Sequence, residues 1–342
     1  MTPPRTRIAC FGEALIDFLA KPTDGVDTPR AFHQFAGGAP ANVAVAVARL
    51  GGDAQFVGMF GRDMFGDFLV DSLHRAGVGT DHIARTDAAN TALAFVALDE
   101  RGERHFNFYR PPAADLLFRR EHFHDACFNG LASFHVCSNS LTEPEIAAAT
   151  VQGMRLARAA GAIVSCDLNW RPALWDTRVD PHPRLWAALD EADVIKLARS
   201  ELELLAAPLR NAQNTGDEDA VLARAWQGHA QLVLVTDGDA PVRWFTRAGR
   251  GSVPSFHVRA IDTTAAGDAF VGGLLFDLAR RGVDAAGLAT FLQDAHALEQ
   301  SLRFAAAVGA LAVTRHGAFA AMPDLVQTQA LLDGNAAKHE HA

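Results

Sequence analysis

One short segment of the sequence has the residue types of an anion-binding site. It is Asp262-Thr263-Thr264-Ala265-Ala266-Gly267-Asp268-Ala269-Phe270, in which small residues accompany two carboxylates, and an apolar, helix-like run continues to Ala279. We predict a loop that leads into a helix N-terminus, where backbone N–H groups and the helix dipole bind anions such as phosphate. The second carboxylate has a structural alternative, in which Asp262 or Thr263 caps the helix and Asp268 only occupies its favourable first turn.

Two further segments have the composition of turns at strand ends. Gly37-Gly38-Ala39-Pro40-Ala41-Asn42 follows a short alternating strand, and Thr236-Asp237-Gly238 follows an apolar run from Gln231 to Val235. Ligands of open α/β sheets bind at the carboxyl ends of the strands, so these turns and the Asp262 to Asp268 segment are candidates for one shared site. A Walker-type phosphate loop is absent from the sequence, because Gly61-Arg62-Asp63-Met64-Phe65-Gly66 is followed by Asp and not by Lys.

The sequence around these segments alternates between strand and helix patterns. Apolar runs at Ile8 to Phe11 and Gln55 to Phe60 have the length of buried strands, whereas Ala41 to Leu50 and Asp63 to Ala76 have the pattern of helices. The same alternation returns after Ser133. This order predicts an α/β fold.

The segment from Thr91 to Arg110 departs from that alternation. Two apolar stretches, Thr91 to Leu98 and Arg104 to Arg110, flank a polar turn and predict a β-hairpin. Hairpin strands do not fit naturally inside a parallel sheet with crossover helices. We therefore expect this pair and the strand around Phe32 to form a separate small sheet, which could cover a site as a lid.

The composition limits the class of protein. With 342 residues, 49% of them hydrophobic and only 21% charged, the chain can bury a large core as one α/β domain or two smaller ones. A net charge of −9, with Arg mixed among Asp and Glu, provides no basic stripe for nucleic acid. The cysteines lack C-x-x-C spacing, the N-terminus lacks the apolar core of a signal peptide, and no apolar run reaches the ~20 residues of a membrane span. We expect a reduced, cytoplasmic protein that binds neither nucleic acid nor membrane.

The Gly37 to Asn42 turn and the Asp262 to Phe270 segment together resemble the two signatures of the ribokinase-like, or PfkB, family of sugar kinases. Gly12-Glu13-Ala14-Leu15-Ile16-Asp17 is similar to the bacterial fructokinases of that family, and the order of elements fits from Arg7 to about Leu325. The resemblance implies a three-layer α/β/α sandwich with a mostly parallel central sheet and a small β-sheet lid. The implied core is 1–12, 37–90 and 117–330, the lid is 13–36 and 91–116, and 331–342 is a mobile tail.

The resemblance also implies roles for individual residues. Asp268 matches the base that accepts the proton of the phosphorylated hydroxyl, and the N–H groups of Ala265, Ala266 and Gly267 match the anion hole. Because phosphoryl transfer depends mostly on positioning and charge stabilisation, a carboxylate of ordinary pKa suffices as this base. The substrate-binding residues implied in the same way are Asp17, Gly37, Gly38, Asn42, Phe108, Arg110 and Arg171.

Some of these substrate contacts have alternatives. Asn42 could instead cap its own helix, and Arg171 could form a salt bridge with Asp167. Phe108 and Arg110 lie in a segment similar to the lid of fructokinases, which favours fructose over ribose. An arginine that pairs with the substrate carboxylate is typical of 2-keto-3-deoxygluconate kinases, so Arg110 keeps that alternative open.

The sequence departs from the family pattern at three positions. Ala265 replaces a glycine, so the loop must keep φ negative there or bear strain. Ala198 replaces the asparagine of a magnesium-linked N-x-x-E element, of which only Glu201 remains. Ala306 replaces an asparagine near adenine, which leaves as candidates for the nucleotide pocket Thr236, Gly238 and Phe304.

The resemblance implies an ATP-dependent kinase that uses Mg²⁺ and phosphorylates the 6-hydroxyl of fructose. The alternative acceptors are 2-keto-3-deoxygluconate, ribose and a nucleoside, and the non-enzymatic alternative is a sugar- or nucleotide-binding regulator. Some family members also bind a monovalent cation such as K⁺, for which the ligands here would be Asp262, Thr264 and the carbonyl groups of Ala312, Arg315 and Gly317. A homodimer is expected through the lid sheet, at the aromatic faces of Phe32, Phe35, Phe106 and Phe108.

Overall fold

The computed structural model describes residues 6–20, 31–98, 104–110, 112–209 and 217–339. Thirteen strands occur in this part of the chain. They are β1 (Arg7–Phe11), β2 (Leu15–Ala20), β3 (Phe32–Gly37), β4 (Ala54–Gly61), β5 (Gly79–Thr86), β6 (Leu93–Leu98), β7 (Arg104–Tyr109), β8 (Leu131–Cys137), β9 (Ile163–Asp167), β10 (Val194–Ala198), β11 (Leu232–Thr236), β12 (Val242–Thr246) and β13 (Arg250–Val253).

Helices connect most of these strands and pack on both faces of the larger sheet. They are α1 (Ala39–Arg49), α2 (Met64–Arg75), α3 (Pro144–Ala159), α4 (His182–Leu189), α5 (Arg199–Ala206), α6 (Asp217–Ala225), α7 (Ala266–Arg280), α8 (Ala285–Phe291), α9 (Ala295–Ala312) and α10 (Leu325–His339).

Nine strands form the central sheet, in the order β13-β12-β11-β10-β9-β8-β1-β4-β5. All neighbouring strands are parallel except the pairs β11–β12 and β12–β13 at one end. Side chains alternate across this sheet: Ile8 and Cys10 enter one core, whereas Ala9 and Phe11 enter the other. The first core is covered by α1, α7 and α9 and the second by α3 to α6, which confirms the predicted three-layer α/β/α sandwich.

The other four strands form a separate small sheet, β3-β2-β6-β7, which we call the lid. The predicted hairpin is β6–β7, and β2 joins it to β3 through a parallel pairing with β6. One register row crosses all four strands at Phe35, Asp17, Ala94 and Phe108, and these side chains therefore share one face of the lid.

The chain ends differently from the predicted mobile tail. Helix α10 continues to His339, and Leu331 and Leu332 pack against the first core, so apolar burial orders part of a segment that the sequence presents as largely polar. Residues 340–342 lie outside the described part of the chain. Across the described ranges, no helix is both long and apolar enough to cross a membrane.

Candidate active site

A buried carboxylate, Asp268, is held by two amides from distant parts of the chain. Nδ2 of Asn42 donates to its Oδ2 at 2.7 Å, and Nδ2 of Asn169 donates to its Oδ1 at 2.9 Å. Asp268 lies in the first turn of α7, Asn42 in the first turn of α1, and Asn169 just beyond the end of β9. The two predicted signatures therefore meet at one carboxylate, whose oxygens are both oriented by a hydrogen bond.

The protonation of Asp268 differs from the ordinary carboxylate that the sequence suggests. The side chain is 6% exposed, and burial raises its pKa to about 7. The hydrogen bond from Asn42 opposes this shift, the charge of Asp167 adds to it, and the cations of Arg171 and Lys196 reduce it. A carboxylate with this pKa is poised to exchange a proton near neutral pH.

The segment predicted to bind an anion forms the N-terminus of α7, beside Asp268. The first hydrogen bond along the helix runs from Ala269 N to Ala265 O at 2.8 Å, so the N–H groups of Gly267 and Asp268 precede the intrahelical ladder. The N–H of Ala266 makes only a long 3.4 Å contact with the carbonyl of Thr263. The arrangement therefore offers N–H donors and the positive end of the helix dipole to an anion.

Ala265 bears the strain that its replacement of glycine predicts. Its φ is 60° and its ψ is 13°, in the left-handed region, where a Cβ atom is disfavoured. The loop thus keeps a left-handed conformation suited to glycine, and the alanine raises the free energy of the folded state.

Replacing Ala265 by glycine should therefore stabilise the protein. We expect Ala265→Gly to raise the free energy of unfolding by up to about 1 kcal/mol, because the relief of left-handed strain exceeds the added flexibility of the unfolded chain. Urea denaturation measures this change. The matched control is Ala266→Gly, at the first residue of α7, which has no left-handed φ and should lose stability. Equal losses in both variants would show that Ala265 is unstrained.

The Gly37-Gly38 turn places the N-terminus of α1 against the loop that connects β1 to β2. Gly38 has a φ of 109°, and a Cβ atom there would lie 2.6 Å from the Glu13 carbonyl oxygen and 2.7 Å from Ala14 Cα. Only glycine fits at this position. Gly37 is buried at the end of β3, so the turn brings the backbone of both predicted residues close to Asn42.

A second buried polar group lies below this turn. Oε1 of Glu13 accepts hydrogen bonds from Ala39 N at 3.2 Å and from Asn139 Nδ2 at 2.8 Å. Burial raises the pKa of Glu13, and the charge of Arg110 opposes that shift. Glu13 therefore fixes the first turn of α1 to the end of β8.

The structure gives Arg110 another partner than the predicted substrate. Its guanidinium is buried and donates to Oδ2 of Asp115 at 2.6 Å and 2.8 Å from two nitrogens, and to the carbonyl of Asn139 at 2.7 Å. Arg110, which was predicted to lie over the sugar, is thus buried and paired within the protein. Because a buried guanidinium needs a carboxylate partner, the lid end is anchored to the core by this pair.

Two other predicted substrate contacts, Asp17 and Phe108, lie on the shared face of the lid. Phe108 is half-buried and packs on a small apolar cluster that includes Leu15 and Ala94. Asp17 borders a cavity of ≈ 40 Å³ that connects the lid with the proposed cation loop, and the cavity is also lined by Phe35, Asp262, Thr264 and Gly317.

The proposed cation loop is assembled, although its carboxylate is engaged by the backbone. Oδ1 of Asp262 accepts from Thr264 N at 2.9 Å, and its Oδ2 accepts from Gly317 N at 3.0 Å. The carbonyl of Val313 accepts from the N–H groups of Ile261 and Asp262 at 2.7 and 3.1 Å. Ala312 ends α9 and Arg315 is exposed in the following turn, so the five predicted ligands belong to two adjoining loops.

Both carboxylate oxygens of Glu201 accept hydrogen bonds from backbone N–H groups. Its Oε1 accepts from Trp170 N at 2.7 Å, and its Oε2 accepts from Ala198 N at 2.6 Å. Burial raises its pKa. Within the described ranges, no three His, Cys, Asp or Glu side chains are grouped to hold a metal ion. Glu201 thus joins the start of α5 to the turn after β9, and any contact with magnesium would be indirect.

Arg171 is exposed beside the site. Its Nη1 donates to the Trp170 carbonyl at 3.0 Å, whereas Asp167, its predicted alternative partner, pairs with Lys196. The alternative salt bridge is therefore wrong. The cation of Arg171 lowers the pKa of Asp268, which places it within electrostatic range of the base.

The predicted nucleotide contacts divide into two groups. Thr236 ends β11 and Gly238 follows it with a φ of 56°, so both lie at a carboxyl edge of the central sheet. Phe304 is different: it is 3% exposed, its ring lies 5.9 Å from that of Phe276, and Arg280 covers it. Phe304 is a core residue between α7 and α9, because its large apolar side chain lies on the inward face of α9.

Sequence reasoning missed three polar residues of the site, namely Glu13, Asn169 and Lys196. Each stands at or near the carboxyl end of a strand, the position at which polar side chains of an α/β sheet meet a ligand. Lys196 also interrupts an otherwise apolar strand, Val194–Ala198. Those two signals could have identified them.

Comparison with known proteins adds a family and relatives. A model of the pfkB family carbohydrate kinases matches residues 5–325. Fructokinase-1 of Oryza sativa subsp. japonica is 41% identical over 332 residues, which cover 95% of this chain and 97% of that protein. The crystal structure of a fructokinase with bound ATP from Xylella fastidiosa is 59% identical, with a TM-score of 0.92 over 97% of this chain and 99% of that one. A fructokinase from Vibrio cholerae O395 in fructose-, ADP- and calcium-bound form is 31% identical, with a TM-score of 0.80 over 96% and 99% of the two chains.

Proposed function

Because the chain belongs to the pfkB family of carbohydrate kinases, we propose that it transfers the γ-phosphoryl group of ATP to fructose, forming fructose 6-phosphate. The observation that supports this most directly is Asp268, a buried carboxylate oriented by two amides at a helix N-terminus. Relatives described as fructokinases, one with bound ATP and one with fructose and ADP, support the choice of donor and acceptor.

In the proposed reaction, Asp268 accepts the proton of the fructose 6-hydroxyl as the hydroxyl oxygen bonds to the γ-phosphorus. The bond from that phosphorus to the bridging oxygen of ADP breaks at the same time. Negative charge on the transferred group lies at the N-terminus of α7, where the N–H groups of the predicted anion hole, Ala265 to Gly267, and the helix dipole stabilise it. The residues thus contribute positioning and charge stabilisation, which phosphoryl transfer requires.

Magnesium, when bound with ATP, would neutralise phosphate charge. The described residues offer no cluster of three ligating side chains, so phosphate oxygens and water would supply most of its ligands. Glu201 would act toward such an ion through water, since both of its oxygens are held by backbone N–H groups.

The choice of a neutral sugar rests on polar groups of the Gly37-Gly38 turn and the lid. Asn42 bonds to Asp268 and to the Gly38 carbonyl, and Asp17 lies against Gly37. These groups provide donors and acceptors suited to hydroxyl groups, and Arg171 is exposed. Arg110, the residue that favoured a substrate carboxylate, is committed to Asp115. This supports fructose over 2-keto-3-deoxygluconate.

An acceptor panel tests the proposal. Fructose, ribose, 2-keto-3-deoxygluconate and a nucleoside are each assayed for ADP formation with Mg·ATP, in KCl and in choline chloride, with a sugar-free reaction as control. We expect kcat/KM for fructose to exceed the others at least tenfold, and KCl to raise activity if the Asp262 loop binds K⁺. Equal or higher kcat/KM with another acceptor would overturn fructose, and ADP release independent of every acceptor would overturn the kinase.

We also propose that the protein is cytoplasmic and forms a homodimer through the lid. The lid face opposite Asp17 bears Phe18, Phe32, Phe95 and Tyr109, whose rings contact one another, and Tyr109 is 60% exposed. Phe35 and Phe108 lie on the other face, so the predicted aromatic set is corrected accordingly, and the Phe106 side chain lies outside the described part. Light scattering at micromolar concentration tests the dimer, and a single monomeric species would exclude it.

A further inference from the structure

A buried lysine beneath the anion site has no role in the reaction described so far. The sequence contains three lysines, Lys21, Lys196 and Lys338, and Lys196 is 7% exposed in the central strand β10. Its Nζ donates to Oδ1 and Oδ2 of Asp167 at 3.1 and 3.0 Å. Desolvation of such a pair costs about as much as the attraction returns, so stability alone is a weak reason for it.

The ammonium group lies against the first turn of α7. A Cβ atom added at Gly267 would lie 2.9 Å from Lys196 Nζ, closer than real Cβ contacts allow. Gly267 does not have a left-handed φ, so its backbone conformation would accept alanine. A side chain at position 267 would displace the ammonium from its position on Asp167, so the glycine leaves the ammonium adjacent to the anion site.

Lys196 retains a hydrogen-bond donor for a ligand. An ammonium has three donors, and Asp167 is a single carboxylate that occupies at most two of them. Among the described residues, Asp167 supplies the hydrogen-bond acceptors of Nζ. Glu201 and Asp268 act on the ammonium through their charge, whereas the hydrogen bonds of Nζ among the described residues go to Asp167. The remaining donor is therefore available to an anion at the α7 N-terminus.

We propose that Lys196 is part of the phosphoryl site, where its ammonium group passes beside Gly267 and binds an oxygen of the transferred phosphoryl group. Asp167 holds the ammonium in place and keeps it charged. The fixed cation opposes the charge that develops on the phosphoryl oxygens in the transition state. This inference rests on the proposed phosphoryl transfer and deepens it.

Kinetics of two variants provide the first test. Lys196→Met should lower kcat for fructose phosphorylation about 10²–10³-fold, the usual loss for one donor to a transition-state oxyanion, with the fructose KM changed less than threefold. Because this variant leaves Asp167 buried and unpaired, Lys196→Met/Asp167→Asn is the folded counterpart without a buried charge. Its kcat should remain low while its melting temperature stays near that of wild type. A kcat of the double variant within threefold of wild type would overturn the proposal, because Lys196 would then only neutralise Asp167. Lys338→Arg is the control and should retain full activity.

A measurement on the wild-type protein does not depend on the folding of a variant. With lysine labelled at Cε and Nζ, NMR should show at most three ammonium signals, and Lys196→Arg identifies the buried one. Addition of Mg·ADP, aluminium fluoride and fructose should shift the Lys196 signal and leave the Lys338 signal in place. An unmoved Lys196 signal in a saturated complex would overturn the proposal. A shift without fructose turnover would instead contradict the acceptor assignment and leave Lys196 as a phosphoryl ligand.

Discussion

Asp268→Asn is expected to lower kcat for fructose phosphorylation about 10²–10⁴-fold, the range for loss of a general base. The substitution keeps the shape of the site. Asn42 and Asn169 each have a buried Oδ1 without a hydrogen-bond partner among the described residues, so either amide can rotate and accept the new N–H of residue 268. KM values for ATP and fructose should therefore change little. Steady-state ADP formation measures the loss, and turnover within tenfold of wild type would exclude Asp268 as the base.

The same variant should be more stable than the wild type at pH 8. Burial raises the folded-state pKa of Asp268 to about 7, whereas an unfolded aspartate titrates near ~3.9. Between these values the folded state holds a proton that the unfolded state has lost, so this contribution to stability falls as pH rises and is gone above pH 7. Because asparagine does not titrate, the Asp268→Asn variant does not lose this stability as pH rises.

Urea denaturation at pH 6 and pH 8 tests the direction in which folding stability changes with pH. The gain of Asp268→Asn over wild type should grow between these two pH values. Asp193→Asn is the control, because Asp193 is also buried but is paired with Arg158 and should lose stability when it is replaced. Lower stability of Asp268→Asn at pH 8 would show that the ionised carboxylate is favourably solvated in its pocket.

The second large effect is a steep acid limb in the pH profile. If Asp268 must be ionised to accept the hydroxyl proton, kcat/KM for fructose should fall tenfold per pH unit below about 7, and about 100-fold by pH 5. The ratio kcat/KM is the quantity to follow, because it reports the free enzyme.

Circular dichroism at each pH separates titration from unfolding. The residual activity of Asp268→Asn should lack the acid limb, since its side chain does not titrate in this range. A wild-type kcat/KM that stays flat between pH 5.5 and 8 would mean that Asp268 of the free enzyme ionises well below pH 7, and would contradict the raised pKa.

The sequence predicts the elements of the site better than the partners within it. Gly38 and the Asp262 to Asp268 segment are recognisable because a turn with positive φ and a helix N-terminus each require particular local residue types. Strand and helix periodicity likewise predicts an α/β fold, whereas its three-layer arrangement was implied by the family resemblance. Local patterns therefore locate the signatures, and the sheet brings them together.

Contacts between distant segments were not predictable in the same way. Asn169 reaches Asp268 across 99 positions, and Arg110 reaches the Asn139 carbonyl across 29, through packing that no local spacing encodes. Phe304 shows the reverse error, because an aromatic residue near a site is indistinguishable in sequence from one that fills a core. The pKa of Asp268 also depends on burial, which a sequence does not measure.

The strand order of the lid has a consequence for the order in which the protein folds. Its central pairing joins β2 to β6, and the chain between them builds α1, β4, α2 and β5 of the core. The lid therefore cannot close as a local hairpin and must await most of that half of the core, which places it among the last units to form. Until then β2 and β6 expose unpaired strand edges. Refolding at high protein concentration should therefore produce aggregates through intermolecular strand pairing.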